Sequence, residues 1–333
     1  MIFREELQVV AREVFGDETV SCDAGRVWRL MSDLGWLGIR VPTTLGGLEL
    51  ERGAETVLHY ELGRVLGPGS VAAHMSVIQA LVACHQRDPL QEALQGALFT
   101  SSLTFTTATE ANGRINGHLK AVPDAHDAAR ILVAASDRLL LYPLDASGIE
   151  IRERRMWDET RRMFDVSLND VAVDRGVSIA QGDAARTVWD EFNGNVLHAL
   201  AADSLGGAQA ILAMTIDHLK VRHQFDRPLA MFQALKHRSA DLFTALSGAE
   251  AMLWQDMKAD VNIERVGAFK AYAAGVFHHV VEEAVQLHGG IGLTSEHRCH
   301  RFLKRALLND MLGGTEDEWF EAAGRQMIMQ LTG

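Results

Sequence analysis

Residues 195–236 read NVLHALAADSLGGAQAILAMTIDHLKVRHQFDRPLAMFQALK, and the organisation of the whole chain follows from this stretch. Leu200, Leu205, Ile211, Met214, Ile216 and Leu219 recur at helical spacing, with no proline before Pro228. The pattern predicts a long helix, a turn and the start of a second helix. Gly206 and Gly207 lie inside the long helix, where each costs about 1 kcal/mol against alanine. The expected compensation is the close approach of another backbone. Arg222 falls at the C-terminal end, where a cation suits the helix dipole on its own account.

From Arg222 to His237 the sequence runs R-x-Q-F-x-R-P-L-x-x-F-Q-A-x-K-H. Further on, a helix is expected from about Ile263, with Phe269, Ala273, Val276, Val280, Ala284 and Leu287 on its apolar face and Gly289 as a left-handed cap. It leads into Q-L-H-G-G-I-G-L-T-S-E-H from Gln286 to His297. Glycines there also leave backbone amides open to a ligand. The two blocks, in this order and at this distance, resemble the signatures of the acyl-CoA dehydrogenase family. The resemblance implies that Arg222 holds the pyrophosphate of FAD through charge-assisted hydrogen bonds across a dimer interface. It also implies that Gln224, Phe225, Phe232, Gln233, Gln286, Gly289, Gly290 and Thr315 complete the cofactor set.

The chain has 333 residues, 47% of them hydrophobic and 23% charged, enough for a large core and more than one domain. Its formal net charge of -12 argues against a nucleic-acid surface. Cys22, Cys84 and Cys299 are far apart and show neither disulfide nor metal spacing. His297 and His300 flank Cys299, but the family resemblance carries histidines there without a metal, so no metal is expected. No signal peptide and no apolar run long enough for a bilayer is read, and a cytoplasmic location is expected.

Three parts follow in order. Residues 1–97 read as helical: Leu7, Val10, Ala11 and Val14 share a face, Val27 to Leu37 form a second apolar stripe, and a helix is expected from about Ala54 to Val65. W-L-G-I-x-V-P-x-x-x-G-G-L-E-L, from Trp36 to Leu50, again resembles the family. His74 and Met75 open a helix that lines the acyl pocket in such proteins, although Met75 also suits ordinary core filling. Residues 98–182 change to short β-rich runs separated by turn chemistry at Asn112-Gly113, Asn116-Gly117, Asp124 to His126 and Ala146 to Gly148. Residues 183–333 form a second helical region. The expected fold class is α+β, mostly α: an N-terminal helical domain, a small antiparallel β domain and a C-terminal helical bundle.

The departures from the family carry as much information. After the strand near Ser101, the segment T-E-P-x-A-G-S-D that contacts the flavin ring in the family is absent; Thr104 to Asn112 runs directly into the next turn. A tryptophan-bearing strand beside the ring is replaced by Lys120 to His126. Removing the α-proton of an acyl thioester needs a carboxylate within reach. The family's glutamate precedes Gly-Thr, where this chain has Gly313. A second family position lies at the start of the long helix, twenty-six residues before the flavin arginine, where this chain has Val196. Glu316, Asp317 and Glu318 follow Thr315 and suit a helix N-terminus; Glu316 is a weak candidate base. Asp203 and Glu191 are further carboxylates, each more ordinary as a paired or solvated group.

Two functional classes remain at this point. One is a self-sufficient homo-oligomeric acyl-CoA dehydrogenase with a displaced base. The other is a non-catalytic half-site subunit of a hetero-oligomer, clamping FAD shared with a complete partner, as in pairs used on bulky, steroid-derived acyl-CoA. A flavin-free acyl-CoA-binding protein is a third reading. The partners implied are an acyl-CoA substrate, another dehydrogenase chain, and an electron-transfer flavoprotein or similar acceptor.

Overall fold

The computed structural model describes residues 4–16, 24–255, 262–294 and 297–332. Cys22 and Glu296, singled out above, lie outside the described residues. Five helices come first: α1 (Arg4–Phe15), α2 (Ala24–Asp33), α3 (Arg52–Arg64), α4 (Ser70–Ala83) and α5 (Arg87–Leu94). The apolar face of α1 is Leu7, Ala11 and Phe15; Val10, expected on it, is 45% exposed. The i, i+4, i+8 row that includes Phe15 buries more apolar surface than one through Val10.

The strands follow as β1 (Phe99–Ser101), β2 (Thr109–Ala111), β3 (Arg114–Pro123), β4 (Arg130–Ala135), β5 (Arg138–Pro143), β6 (Ile149–Arg154), β7 (Met163–Ala172) and β8 (Val177–Gln181). They form two four-stranded sheets, ordered β1-β4-β5-β8 and β2-β3-β7-β6. Ile131 and Val133 of β4 and Leu140 and Tyr142 of β5 enter the core shared with Ile115, Leu119, Phe164 and Val166 of the other sheet. Leu132, Leu139 and Leu141 point the opposite way, into the helical core. A sheet covered on both faces explains the unbroken apolar runs of β4 and β5. All pairings within the two sheets are antiparallel except β1 with β4, which run parallel and so depart from the purely antiparallel expectation. Asn116-Gly117 is not a turn: it lies within β3 at a register shift, where the Asn116 amide oxygen accepts from the Asp170 N–H at 2.9 Å.

Helix α6 (Asp183–Val221) is 39 residues long, about 58 Å at 1.5 Å per residue. It begins twelve residues earlier than the stretch that revealed it, so Val196 sits inside the helix rather than at its start. A two-strand hairpin, β9 (His223–Gln224) and β10 (Arg227–Pro228), leads to α7 (Gln233–Gln255), α8 (Ile263–His288), α9 (Cys299–Met311) and α10 (Glu316–Thr332). The first half of α6 packs in the core with α3, α4 and the first sheet; the second half packs with α7, α8 and α9. By length and composition α6 could cross a membrane, contrary to the sequence reading, but 72% of its apolar window is buried inside the protein.

The two glycines of α6 have different neighbours. A Cβ on Gly206 would lie 1.8 Å from the Tyr60 carbonyl oxygen of α3, so the expected backbone approach occurs there. A Cβ on Gly207 would instead meet the Phe277 ring of α8 at 2.6 Å. Gly63 of α3 answers Gly206: its Cβ would stand 2.0 Å from the Asp203 carbonyl oxygen. Gly206→Ala is expected to cost about 3 kcal/mol or more, the upper end of overpacking penalties, because backbone cannot move aside as a side chain can. Thermal denaturation checks this against Gly248→Ala in α7, where a Cβ meets nothing within 4 Å and helix propensity predicts a gain of up to about 1 kcal/mol.

Two buried histidines, the most strongly shifted in the chain, contribute to the acid sensitivity of this packing. Burial drives the His74 pKa down to about 3, and its Nδ1 accepts from the Phe99 N–H at 3.0 Å, so the ring is neutral. Burial, followed by the charge of Arg52, brings His198 to about 4, with Thr56 Oγ1 2.9 Å from its Nε2. Below about pH 6.5 the unfolded chain takes up protons that the folded chain refuses, so stability falls as pH falls, down to these folded values. The decline should begin between pH 6.5 and 4.5, before ordinary carboxylates titrate, with a slope of at most about 2.7 kcal/mol per pH unit for two groups. Urea unfolding across that window measures it. A flat profile down to pH 4.5 would contradict it.

Candidate functional site

The two sequence blocks meet at one end of the helical bundle. Arg222 caps α6, its N–H donating to the His218 carbonyl at 2.9 Å. His218 stacks on His288 at 4.5 Å, and His288 directly precedes Gly289-Gly290. This stacking brings the arginine and the glycines together. Phe225 and Asp226 both have left-handed backbones, with φ of 53° and 59°, as a tight two-residue hairpin requires. The turn holds Phe225 out at 85% exposure, with its ring edge on Phe232 at 6.1 Å. The Arg227 guanidinium covers the Phe232 ring at 4.1 Å. Gln224, Gln233 and Gln286 are exposed around this feature. Gly289 has φ of 68° as the cap of α8, and a Cβ on Gly289 or Gly290 would meet nothing within 4 Å. The result is an open surface of arginine, amide side chains and bare backbone, which fits an anionic dinucleotide.

Thr315 does not join this cluster within the chain. It directly precedes α10, its N–H and Oγ1 both donating to Glu318 Oε2 at 2.8 and 3.1 Å, the glutamate half of a capping box, and these bonds hold the Glu318 pKa below its ordinary value. The preceding carbonyl, Gly314 O, accepts from Lys270 Nζ, and Lys270 lies 18 residues before His288, about 27 Å along α8. Glu316 and Asp317 are exposed in the first turn of α10, and Glu316 Oε2 lies 4.0 Å from where a Cβ on Gly275 of α8 would be.

The place of the missing base is filled by packing. Gly313 is buried with φ of 70°; a Cβ there would stand 2.8 Å from Leu197 Cδ2, 3.3 Å from Leu200 Cδ1 and 3.5 Å from the Phe105 ring. Its N–H donates to the Leu103 carbonyl at 2.8 Å, and its own carbonyl accepts from Trp319 Nε1 at 2.6 Å. Buried Lys270 closes the turn, donating to the carbonyls of Asp310 and Gly314, both at 2.9 Å; burial brings its pKa down to about 8. Val196 is fully buried in the core. The segment after β1 is also occupied with itself: Ser102 Oγ donates to the Lys120 carbonyl at 2.7 Å, and Thr104 and Thr106 hydroxyls lie 2.9 Å apart. Met75 is 1% exposed and part of the core, the ordinary reading of that residue.

Asp203 and Glu191 are accounted for as well. Glu191 is exposed. Asp203 receives Arg161 at 2.6 Å, Asn309 at 2.7 Å and Arg305 at 3.3 Å, all buried. Arg305 also donates to Asp158 at 2.7 Å, and Asp158 is held ionised below the usual carboxylate range: burial opposes this, but Arg305 and Thr160 outweigh it. Beside them a cavity of about 10 Å³, lined by His59, Gly69, Ala72, Arg161, Leu200 and Asp203, is what remains between α3, α4 and α6; this is about one water. Sequence reasoning missed this network, Lys270 and the histidine stack. Charged residues at otherwise apolar helix positions, such as Lys270 beside Phe269 and Ala273, were the available signal. Among the described residues no group of three or more His, Cys, Asp or Glu side chains is placed to hold a metal.

The model of the acyl-CoA dehydrogenase N-terminal domain matches residues 2–88, and that of the C-terminal domain matches residues 198–328. The chain belongs to the acyl-CoA dehydrogenase family, oxidoreductases acting on acyl-CoA. It is 30% identical over 286 residues to acyl-CoA dehydrogenase IpdE2 of Mycobacterium tuberculosis, covering 84% of this chain and 80% of that protein. Identity to acyl-CoA dehydrogenase IpdE2 of Mycolicibacterium smegmatis is 28% over 284 residues, covering 84% and 81%. A solved structure described as "Tcur3481-Tcur3483 steroid ACAD G363A variant" superposes with a TM-score of 0.87 at 26% identity, covering 99% of each chain.

Gly313→Glu is expected to restore no acyl-CoA oxidation, because the new side chain would start in a left-handed backbone and run into Leu197. The left-handed strain costs about 1 kcal/mol or more, so the variant should also show a lowered melting temperature. A gain of turnover in this variant would show that the junction opens to substrate.

Proposed function

We propose that this chain is the base-lacking, half-site subunit of a hetero-oligomeric acyl-CoA dehydrogenase. It presents Arg222, Gln224, Phe225, Phe232, Gln233, Gln286, Gly289 and Gly290 to FAD shared with a complete partner chain. The observation that carries this reading is the contrast between two ends of one molecule: an open, solvent-facing clamp, and a Gly313 junction closed by Leu197, Leu200 and Phe105. FAD, when bound, supplies the two-electron acceptor for α,β-dehydrogenation of the thioester. This chain's contribution is binding and orientation. The Arg222 guanidinium neutralises diphosphate charge. The exposed Phe225 ring gives the hairpin an apolar edge to bury against a second chain, and Gly289-Gly290 lets backbone amides approach the ligand. The partner provides the carboxylate, Thr315 is engaged here with Glu318 at the start of α10, and an electron-transfer flavoprotein or similar carrier accepts the electrons. The likeness to a steroid ACAD structure named for two components supports a bulky acyl group and a heteromeric assembly.

Purified alone, the chain is expected to oxidise acyl-CoA negligibly, since a general base contributes typically ~10²–10⁴-fold. Adding the partner should restore turnover, with Glu316→Gln leaving it unchanged. Arg222→Ala should lower FAD retention in the assembly while leaving the melting temperature of this chain near the wild-type value, because the side chain is exposed. Loss of turnover in Glu316→Gln of a flavin-loaded homo-oligomer would establish the opposite reading, a self-sufficient enzyme with a displaced base.

A further inference from the structure

Next to Gly289 three imidazoles come together. His288, 6% exposed, stacks on His218 at 4.5 Å and 29° and meets the tilted ring of His297 at 4.6 Å and 53°. His288 Nδ1 is 2.8 Å from the Ala284 carbonyl. A carbonyl can only accept, so the proton sits on Nδ1 and Nε2 carries a lone pair. That Nε2 is buried with no hydrogen-bond partner. A phenylalanine would fill the same space without stranding a polar atom.

Among the described residues, the charges that act on the stack share one sign. All three rings are held below the ordinary histidine pKa, by burial first; His297 and Arg222 add to this at His218, His300 and Arg298 at His297, and at His288 the Ala284 carbonyl opposes it while His218 and His297 add to it. Among the described residues no carboxylate acts on any of them. The stack is therefore neutral near pH 7 and has a strong reason to charge only when negative charge arrives beside it. One proton shared among stacked rings is tolerable, because an imidazolium is stabilised on a neutral aromatic face. A second would meet the first.

We propose that the His218–His288–His297 stack is a proton-accepting pole of the dinucleotide clamp: a diphosphate held at Arg222 and Gly289-Gly290 draws one proton from solvent onto the stack. Binding and protonation are then a single coupled event, and affinity rises as pH falls. The inference rests on the clamp reading above, and concerns this chain's own residues.

The test is calorimetric titration of FAD into the flavin-depleted complex of this chain with its partner, at pH 7 in Pipes and in Tris, whose ionisation enthalpies differ. The expected result is uptake of about one proton per FAD, with affinity rising by up to tenfold per pH unit between pH 8 and 6. His288→Phe and His218→Phe should flatten both signals, so that the gain in affinity toward pH 6 is lost. No proton uptake in the wild type overturns the proposal without needing a variant. Undiminished uptake in both variants also overturns it. Failure of the clamp reading looks different: Arg222→Ala would then bind FAD as tightly as the wild type, or no preparation of the protein would bind it.

Discussion

The fold turns on a backbone-to-backbone contact between α3 and α6. Gly63 rides on the Asp203 carbonyl and Gly206 on the Tyr60 carbonyl, so neither position has room for a side chain. The crossing fixes where the Asp203 carboxylate points, and three separate parts of the chain converge on it. Arg161 arrives from the β6–β7 connection, Arg305 and Asn309 from α9, and Arg305 also reaches the carbonyls of Leu66 and Gly67 between α3 and α4. Two arginines and two aspartates out of water are costly unless every one is paired. Here each has a partner, so the cluster acts as a specific joint between strands and helices.

What the joint positions is functionally decisive. With α9 pinned through Arg305, its C-terminal turn is delivered onto Leu197 and Leu200 of α6, and Lys270 and Trp319 fasten it there. One of the two positions that the family resemblance gives for a catalytic carboxylate falls on this turn. The backbone is instead left-handed at Gly313 and Gly314, with apolar side chains against it. At the far end of α8 the constraints relax: the glycines face open space and the Phe225 hairpin projects into solvent. The same helices thus close the Gly313 junction and leave the Gly289-Gly290 end open.

Much of this was legible in the sequence because its signals were local. The 3.6-residue period from Leu200 to Leu219 marked α6, and Asn112-Gly113 and Ala146 to Gly148 marked real turns. Period alone could not find the start of α6, since the first twelve residues carry exposed charges such as Arg186 and Glu191 and resemble a loop in composition. Asn116-Gly117 carried turn chemistry, yet cross-strand pairing with β7 absorbed it as a bulge. The absence of an acid at Gly313 and Val196 was plain from spacing. That Leu197, Leu200 and Phe105 fill the vacated direction was not, because those residues stand more than one hundred, and Phe105 more than two hundred, positions before Gly313. The ionic joint and the histidine stack are likewise long-range pairings, invisible to any local rule.

The central claim, that this chain lends a clamp to a flavin it does not use alone, is tested most directly by counting FAD per polypeptide. The account predicts no stoichiometric flavin absorbance for the chain purified by itself, and one FAD for each pair of unlike chains in the complex with its partner. One FAD per chain in a homo-oligomer, bleached on addition of an acyl-CoA, would contradict it.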